Sequence, residues 1–308
     1  MPSIGAILKP FVTEAVFVLL CIAFLRVDAA AFRIYLGRPT IVLAATAWTS
    51  LVIPTLFGAS YLAFGLKDQS PDLFLALVLQ AIASPSDGGA CICRVDGADA
   101  TLVLCTMVTS TALLPLTASL FAYVFIGPAL TLSPLALGLK LFAILAGSAL
   151  VGFSVRQIAG LTAIERQKEG IDGFNIVVLF VFIAAIMESV AARFLATPMI
   201  TIGLAALAFV VFFAVLCLTT LFFASAGRKR ALTLGFMASQ RNVGLMLAAS
   251  DGALPDLTWL YFCLLLLPHL SVAATAPTAG ATDNRPSEDY SHTATKTNYM
   301  TIMRIHLG

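Results

Sequence analysis

The sequence predicts an all-α, polytopic membrane protein of about nine transmembrane helices, in an inverted-repeat arrangement with two broken, crossing helices. Three observations carry that prediction. First, 60% of the 308 residues are apolar and only 11% are charged, against roughly 25% charged in a soluble domain. A soluble body of this size would need far more polar residues to cover its surface, and the mean hydropathy of +0.98 agrees. Second, the apolar residues fall in runs suited to bilayer crossings of about 20 residues each. Third, two runs are interrupted, one by Ser84-Pro85-Ser86-Asp87-Gly88-Gly89 and one by Ser239-Gln240-Arg241-Asn242. The composition excludes a water-soluble enzyme, and nine crossings leave no room for a separate catalytic domain. No enzymatic activity and no cofactor are expected.

The runs, bounded by Pro, Gly and charges, fall at about 11–25, 39–65, 71–97, 100–126, 134–155, 173–192, 199–225, 229–250 and 256–274. The first follows Lys9 and lacks a small-residue cleavage site, so it reads as a membrane segment rather than a signal peptide. The third and eighth contain the interruptions. Residues 275–308 are rich in Thr, Ala, Asn and Asp, cannot bury a core, and are expected to be a disordered tail. The net charge of +2 is too small and dispersed for a nucleic-acid partner; the bilayer itself is the expected environment.

Threading nine crossings puts Arg26, Arg33, Arg38, Arg94, Arg156, Arg166, Lys168, Arg228, Lys229 and Arg230 on one side, and Lys9, Lys67 and Arg193 on the other. By the positive-inside rule the richer side, and with it the C-terminus, is cytoplasmic, and the expected location is a bacterial inner membrane. Residues 134–274 hold five segments with the fourth broken, whereas 1–126 hold four with the third broken. An inverted repeat whose first half lacks its first helix accounts for both counts. In such repeats, corresponding interrupted segments mark a binding site near the bilayer midplane, because non-helical backbone at that depth is tolerated only where protein, water or ligand satisfies it.

The polar residues at depth are the chemical candidates. Ser84, Ser86, Asp87, Gly88 and Gly89 belong to the first break, and Gln240, Arg241 and Asn242 to the second. Asp87 either caps a half-helix through a backbone N–H or contacts a ligand or cation, and the two roles are compatible. Arg241 costs from about 2.5 to over 10 kcal/mol in lipid, so it should face a cavity or a partner. A pairing of Asp87 with Arg241 across the breaks would act as a lock. Glu188 reads as an interfacial carboxylate near its helix end or as a proton-relay group, and Glu14 has the same ambiguity. Thr106, Thr109, Ser110 and Thr111 can bond their own helix backbone, and Thr109 and Ser110 are, with Asp87 and Glu188, the candidates for a coupling ion or proton. Trp48, Thr49 and Ser50 suit packing, and Gln80 suits either packing or a site. The six cysteines mostly behave as small hydrophobes; Cys91-Ile-Cys93 is too tight for a C-x-x-C metal site, and no metal is expected.

At these residues a family resemblance becomes visible. The run RNVGLMLAA resembles the ninth-helix signature of the bile acid:sodium symporter family. The stretch ASPSDGGACICRVDGADATLVLCTMVTSTALLPLTASLF is similar to that family's broken fourth helix, loop and fifth helix, including Asp99 sixteen positions before Pro115. LCIAFLRVD resembles its second helix. The resemblance extends over roughly residues 11–270. It implies core and panel domains, broken helices crossing at the substrate cavity, and a small organic anion as substrate. The sodium ligands of that family would fall on Met237, Val103 and Met107, which offer no oxygen for a hard cation, and Arg241 stands where glutamine precedes asparagine. Sodium therefore remains only a candidate, with its expected ligands largely absent.

The expected function is a secondary transporter moving an organic anion by alternating access, sodium-independent or proton-coupled because the guanidinium substitutes electrostatically for the ion. The alternatives are an arsenite-permease-like carrier, suggested by Cys91 and Cys93, and a non-transporting membrane sensor or scaffold on a degenerate carrier fold. A truncated, inactive product is a further one.

Overall fold

The computed structural model describes residues 8–25, 39–86, 100–127, 133–250 and 252–275. About 91% of these are helical and none belongs to a strand, so the fold is all-α. In chain order the helices are α1 (Val12–Leu25), α2 (Thr40–Ala63), α3 (Pro71–Ile82), α4 (Leu102–Ile126), α5 (Pro134–Ala159), α6 (Lys168–Ala196) and α7 (Pro198–Phe222). They are followed by α8 (Arg228–Ser239), α9 (Val243–Ser250), α10 (Asp256–Leu264) and α11 (Leu266–Thr275).

Among the described residues five helices, α2, α4, α5, α6 and α7, are long and apolar enough to cross a membrane. These helices fit an all-α membrane protein, with five of the nine expected crossings present as long helices. The remaining four apolar runs hold shorter pieces, the first being α1 with 14 residues. The third run stops being helical after Ile82, two residues before Ser84, whose proline neighbour disfavours the α conformation. The eighth is cut in two at residues 240–242, and the ninth is interrupted at Leu265.

Local chemistry sets several ends. Pro71, Pro134 and Pro198 each occupy the first helical turn, where a missing N–H costs nothing. Ser133 caps α5 by accepting the Ala136 N–H at 3.2 Å, and Gly160, at φ 78°, ends it.

Helices α1, α5 and α6 form one packed group, with α1 against both others and against α9. Small residues let these backbones approach: a Cβ added at Gly152 of α5 would stand 2.8 Å from the Cys21 carbonyl of α1. A second set, α2, α3, α4, α7, α8 and α10, packs together and meets the first where α4 lies against α5 and where α7 and α10 lie against α6. There Gly235 of α8 meets α7, its would-be Cβ 2.9 Å from the Leu216 carbonyl.

Burial separates the helices by role. Phe142, Leu150, Phe174, Phe180, Phe213 and Leu221, on α5 to α7, are exposed, an apolar surface far beyond what a water-facing monomer shows and suited to lipid. By contrast α9 is buried from Leu245 through Ser250, and α3 from Phe74 through Ile82. The two short helices flanking the interruptions are thus the centre of the molecule.

Candidate functional site

The two interruptions meet and pair. Pro85 and Arg241 form an antiparallel bridge; the Ser86 N–H donates to the Gln240 carbonyl at 2.9 Å, and the Asn242 N–H donates to the Ser84 carbonyl at 2.7 Å. Backbone groups that lose helical partners at depth therefore satisfy one another, as an apolar environment requires. At the first break, Pro85 removes a donor and Ala83 turns to the extended region, at ψ 143°. At the second break neither Pro nor Gly is present; Gln240 is extended, at φ −89° and ψ 105°, because the first break supplies its partners.

Arg241 lies inside this crossing and is only 3% exposed. Its Nη1 donates to the Ala83 carbonyl at 2.8 Å and to the Thr49 carbonyl at 3.3 Å. Each carbonyl is available for a local reason. The Ala83 carbonyl lies just beyond the end of α3. The Thr49 carbonyl lies in a π-helical turn, Trp48–Val52, where the Ile53 N–H bonds the Trp48 carbonyl. In that register the donor for Thr49 would be residue 54, and Pro54 has no N–H. One guanidinium nitrogen thereby ties α2 to the end of α3.

The rest of the guanidinium is unmatched. Nε and Nη2 of Arg241 are buried without a hydrogen-bond partner among the described residues, as are the Ser84 and Tyr61 hydroxyls. Arg241 and Tyr61 line a cavity of about 10 Å3, together with Gln80, Ser239 and apolar residues of α2, α3 and α7. That volume suits about one water-sized occupant. A larger cavity of about 350 Å3 lies between the start of α1, the end of α6, α9 and the start of α10, lined by residues including Thr13, Arg193, Leu247, Asp256 and Trp259. At its edge Arg193 pairs with Asp256. Leu247 is four residues, about 6 Å, along α9 from Val243, so α9 reaches from the crossing to this cavity.

The remaining sequence candidates divide clearly. Gln240 is buried, with its carbonyl engaged in the pairing. Asn242 caps α9, its Oδ1 accepting the Leu245 N–H at 3.1 Å, which accounts for an amide at that position. Because the Val243 N–H also bonds the Arg241 carbonyl, two of the first three N–H groups of α9 already have acceptors. The Thr109 hydroxyl donates to the Cys105 and Thr106 carbonyls and meets Thr46 Oγ1 at 2.7 Å. The Thr49 hydroxyl likewise bonds its own helix and meets Ser110 Oγ at 3.0 Å. Both pairs join α2 to α4. Gln80 Oε1 accepts from Tyr261 at 2.7 Å, and Trp48 donates to Thr219 at 3.0 Å while stacking on Phe222.

Asp87, Gly88, Gly89, Cys91, Cys93 and Asp99 lie outside the described residues, as does the side chain of Glu188, whose backbone lies within α6. At the positions where the resemblance would put sodium ligands, Met237 and Val103 are fully buried, and their side chains carry no oxygen. Sequence reasoning passed over Tyr61, Tyr261 and Pro54; the only available signal was Pro54 within a run otherwise suited to a straight helix. No family model matches the chain, and no curated protein matches it.

Proposed function

We propose that this protein is a secondary transporter of the bile acid:sodium symporter type, moving a small organic anion across a bacterial inner membrane by alternating access. The observation that carries this reading is Arg241: a guanidinium buried where two helix interruptions pair, with two donor nitrogens that lack partners among the described residues. A buried charge costs several kcal/mol unless it is matched, and a carboxylate is the geometric complement of a guanidinium's paired donors. The 350 Å3 cavity falls in the size range of small-molecule sites, whereas the cavity at Arg241 does not. In this reading an anion gathers in the larger cavity and reaches Arg241 only when the packing of α9 against α1 and α5 shifts. Nine crossings, the inverted repeat and a cytoplasmic C-terminus complete the proposal.

The fixed guanidinium takes the electrostatic place of a coupling cation, so transport is sodium-independent. The test is uptake of a panel of radiolabelled mono- and dicarboxylates into proteoliposomes, with and without a sodium gradient. Saturable uptake insensitive to sodium is expected. A steep sodium dependence overturns the role given to Arg241, and ligand binding without flux favours the sensor reading over the carrier.

A further inference from the structure

Helix α7 has 25 residues, about 37 Å at 1.5 Å per residue, more than the roughly 30 Å of a bilayer's hydrocarbon core. Its end therefore lies at headgroup depth when α7 spans the bilayer. Leu221 and Phe222 there are 74% and 57% exposed, suited to acyl chains. Gly227, at φ 99°, turns the chain into α8, whose first residues, Arg228, Lys229 and Arg230, are all exposed. From Ala231 onward α8 is mostly buried. No residue of α7, α8 or α9 is acidic, so these helices carry basic charge alone at this end. The link from α5 to α6 differs, because its Arg166 and Lys168 are bracketed by Glu165 and Glu169.

From this we infer that the exposed start of α8, together with the exposed end of α7, docks an anionic phospholipid. The phosphodiester meets Arg228 and Lys229, and the acyl chains lie along Leu221 and Phe222. A guanidinium pairs with phosphate oxygens through two parallel N–H donors, and a lysine adds a compact point charge. Each cation at an anionic membrane surface favours binding about fivefold, so Arg228 and Lys229 give about twenty-fivefold between them. The surface is joined to the crossing by α8 itself. Ser239, the last residue before the second break, is about 16 Å along that helix from Arg228. A bound headgroup thus fixes the depth of the helix that carries the break. The inference rests neither on the transport reading nor on which side of the bilayer this end faces.

Trp48 is a local probe of this surface, because its ring stacks on Phe222 at 3.8 Å. The chain has two tryptophans, so Trp259→Phe leaves Trp48 as the sole fluorophore of that kind. The test is quenching of Trp48 fluorescence in liposomes by brominated phosphatidylglycerol against brominated phosphatidylcholine, in the full chain carrying Trp259→Phe. A preference for phosphatidylglycerol of about twenty-fivefold is expected. It should collapse in about 1 M salt, where the Debye length falls to about 3 Å. Arg228→Gln with Lys229→Gln should bring the two lipids close to parity. Should that variant fail to fold, Arg228→Gln alone provides the second arm, with the preference reduced about fivefold. Arg166→Gln with Lys168→Gln should leave it unchanged. Equal quenching by the two lipids overturns the assignment, and it is the result expected if the chain itself already matches these cations. An undiminished preference in the α8 variants, or an equal loss in the Arg166 and Lys168 variant, overturns it as well. So does a preference abolished by millimolar inorganic phosphate but not by sodium chloride of equal ionic strength, because the surface would then read free phosphate rather than lipid.

Discussion

Arg193 and Arg241 carry the same side chain into opposite surroundings. Arg193, at the end of α6, is 47% exposed and pairs with an Asp256 that is 85% exposed. Arg241, where α8 and α9 separate, is 3% exposed, bonds only carbonyls and has no acidic partner among the described residues. At the edge, water solvates both partners, and such a pair contributes about 0–1 kcal/mol. At the centre, removing a charge from water costs several kcal/mol, only part of which two carbonyls can return. The outer arginine can stand on local electrostatics alone. Among the described residues the inner one has only two carbonyls to offset its charge, and for that reason the proposed transport chemistry rests on it.

The largest break in this contrast is Arg241→Met, which keeps bulk and removes charge. We expect uptake per folded molecule to fall by at least an order of magnitude. Stability should stay within about 2 kcal/mol of wild type, because the lost carbonyl bonds and the relieved desolvation oppose one another. Proteoliposome uptake alongside thermal melting checks both, and undiminished uptake would make the two arginines functionally equivalent. Next in size is Pro54→Ala. Restoring an N–H at position 54 gives the Thr49 carbonyl a helical donor in competition with Nη1 of Arg241. Weakening that hold by about 1.4 kcal/mol should raise the KM for the transported anion roughly tenfold, with the melting temperature unchanged or higher.

Asn242→Ala tests the frame rather than the charge. Loss of the cap on α9 should cost about 1 kcal/mol, a drop of about 2–4 °C in melting temperature, with sodium independence retained. The smallest effect belongs to Arg193→Gln. It should change stability by less than about 1 kcal/mol, and that change should vanish in high salt as exposed charges are screened. A larger, salt-insensitive loss would show that the outer pair does more than decorate the cavity edge.

Both interruptions were legible as interruptions, but for different reasons. At Ser84-Pro85-Ser86 the proline dictates the break locally, since a missing N–H and a constrained preceding residue end a helix in any fold. At Gln240-Arg241-Asn242 the only signal is polarity inside an apolar run, and those three residues could continue a helix were the other break absent. Thr109 and Ser110 show the opposite case. They read as candidates for an ion or proton, yet their hydroxyls join α2 to α4, because short hydroxyls satisfy their own backbone and still bridge to a close neighbour. Tyr61 and the π-helical turn at Trp48–Val52 were hidden, since a one-residue change of helical register leaves the apolar pattern almost intact.

By itself, the sequence determined the solvent of this protein and its helical class. Composition decides whether a surface can face water, and apolar run length decides whether a helix can reach across a bilayer. It also determined that Arg241 would be costly wherever it was buried. Only the tertiary structure decided what stands opposite that charge: the Ala83 and Thr49 carbonyls, freed by the end of α3 and by Pro54, and a cavity of about 10 Å3. Those groups are separated from Arg241 by 158 and 192 positions in the chain. Their meeting depends on how two breaks pair within the packed core, a non-local outcome that no local propensity encodes.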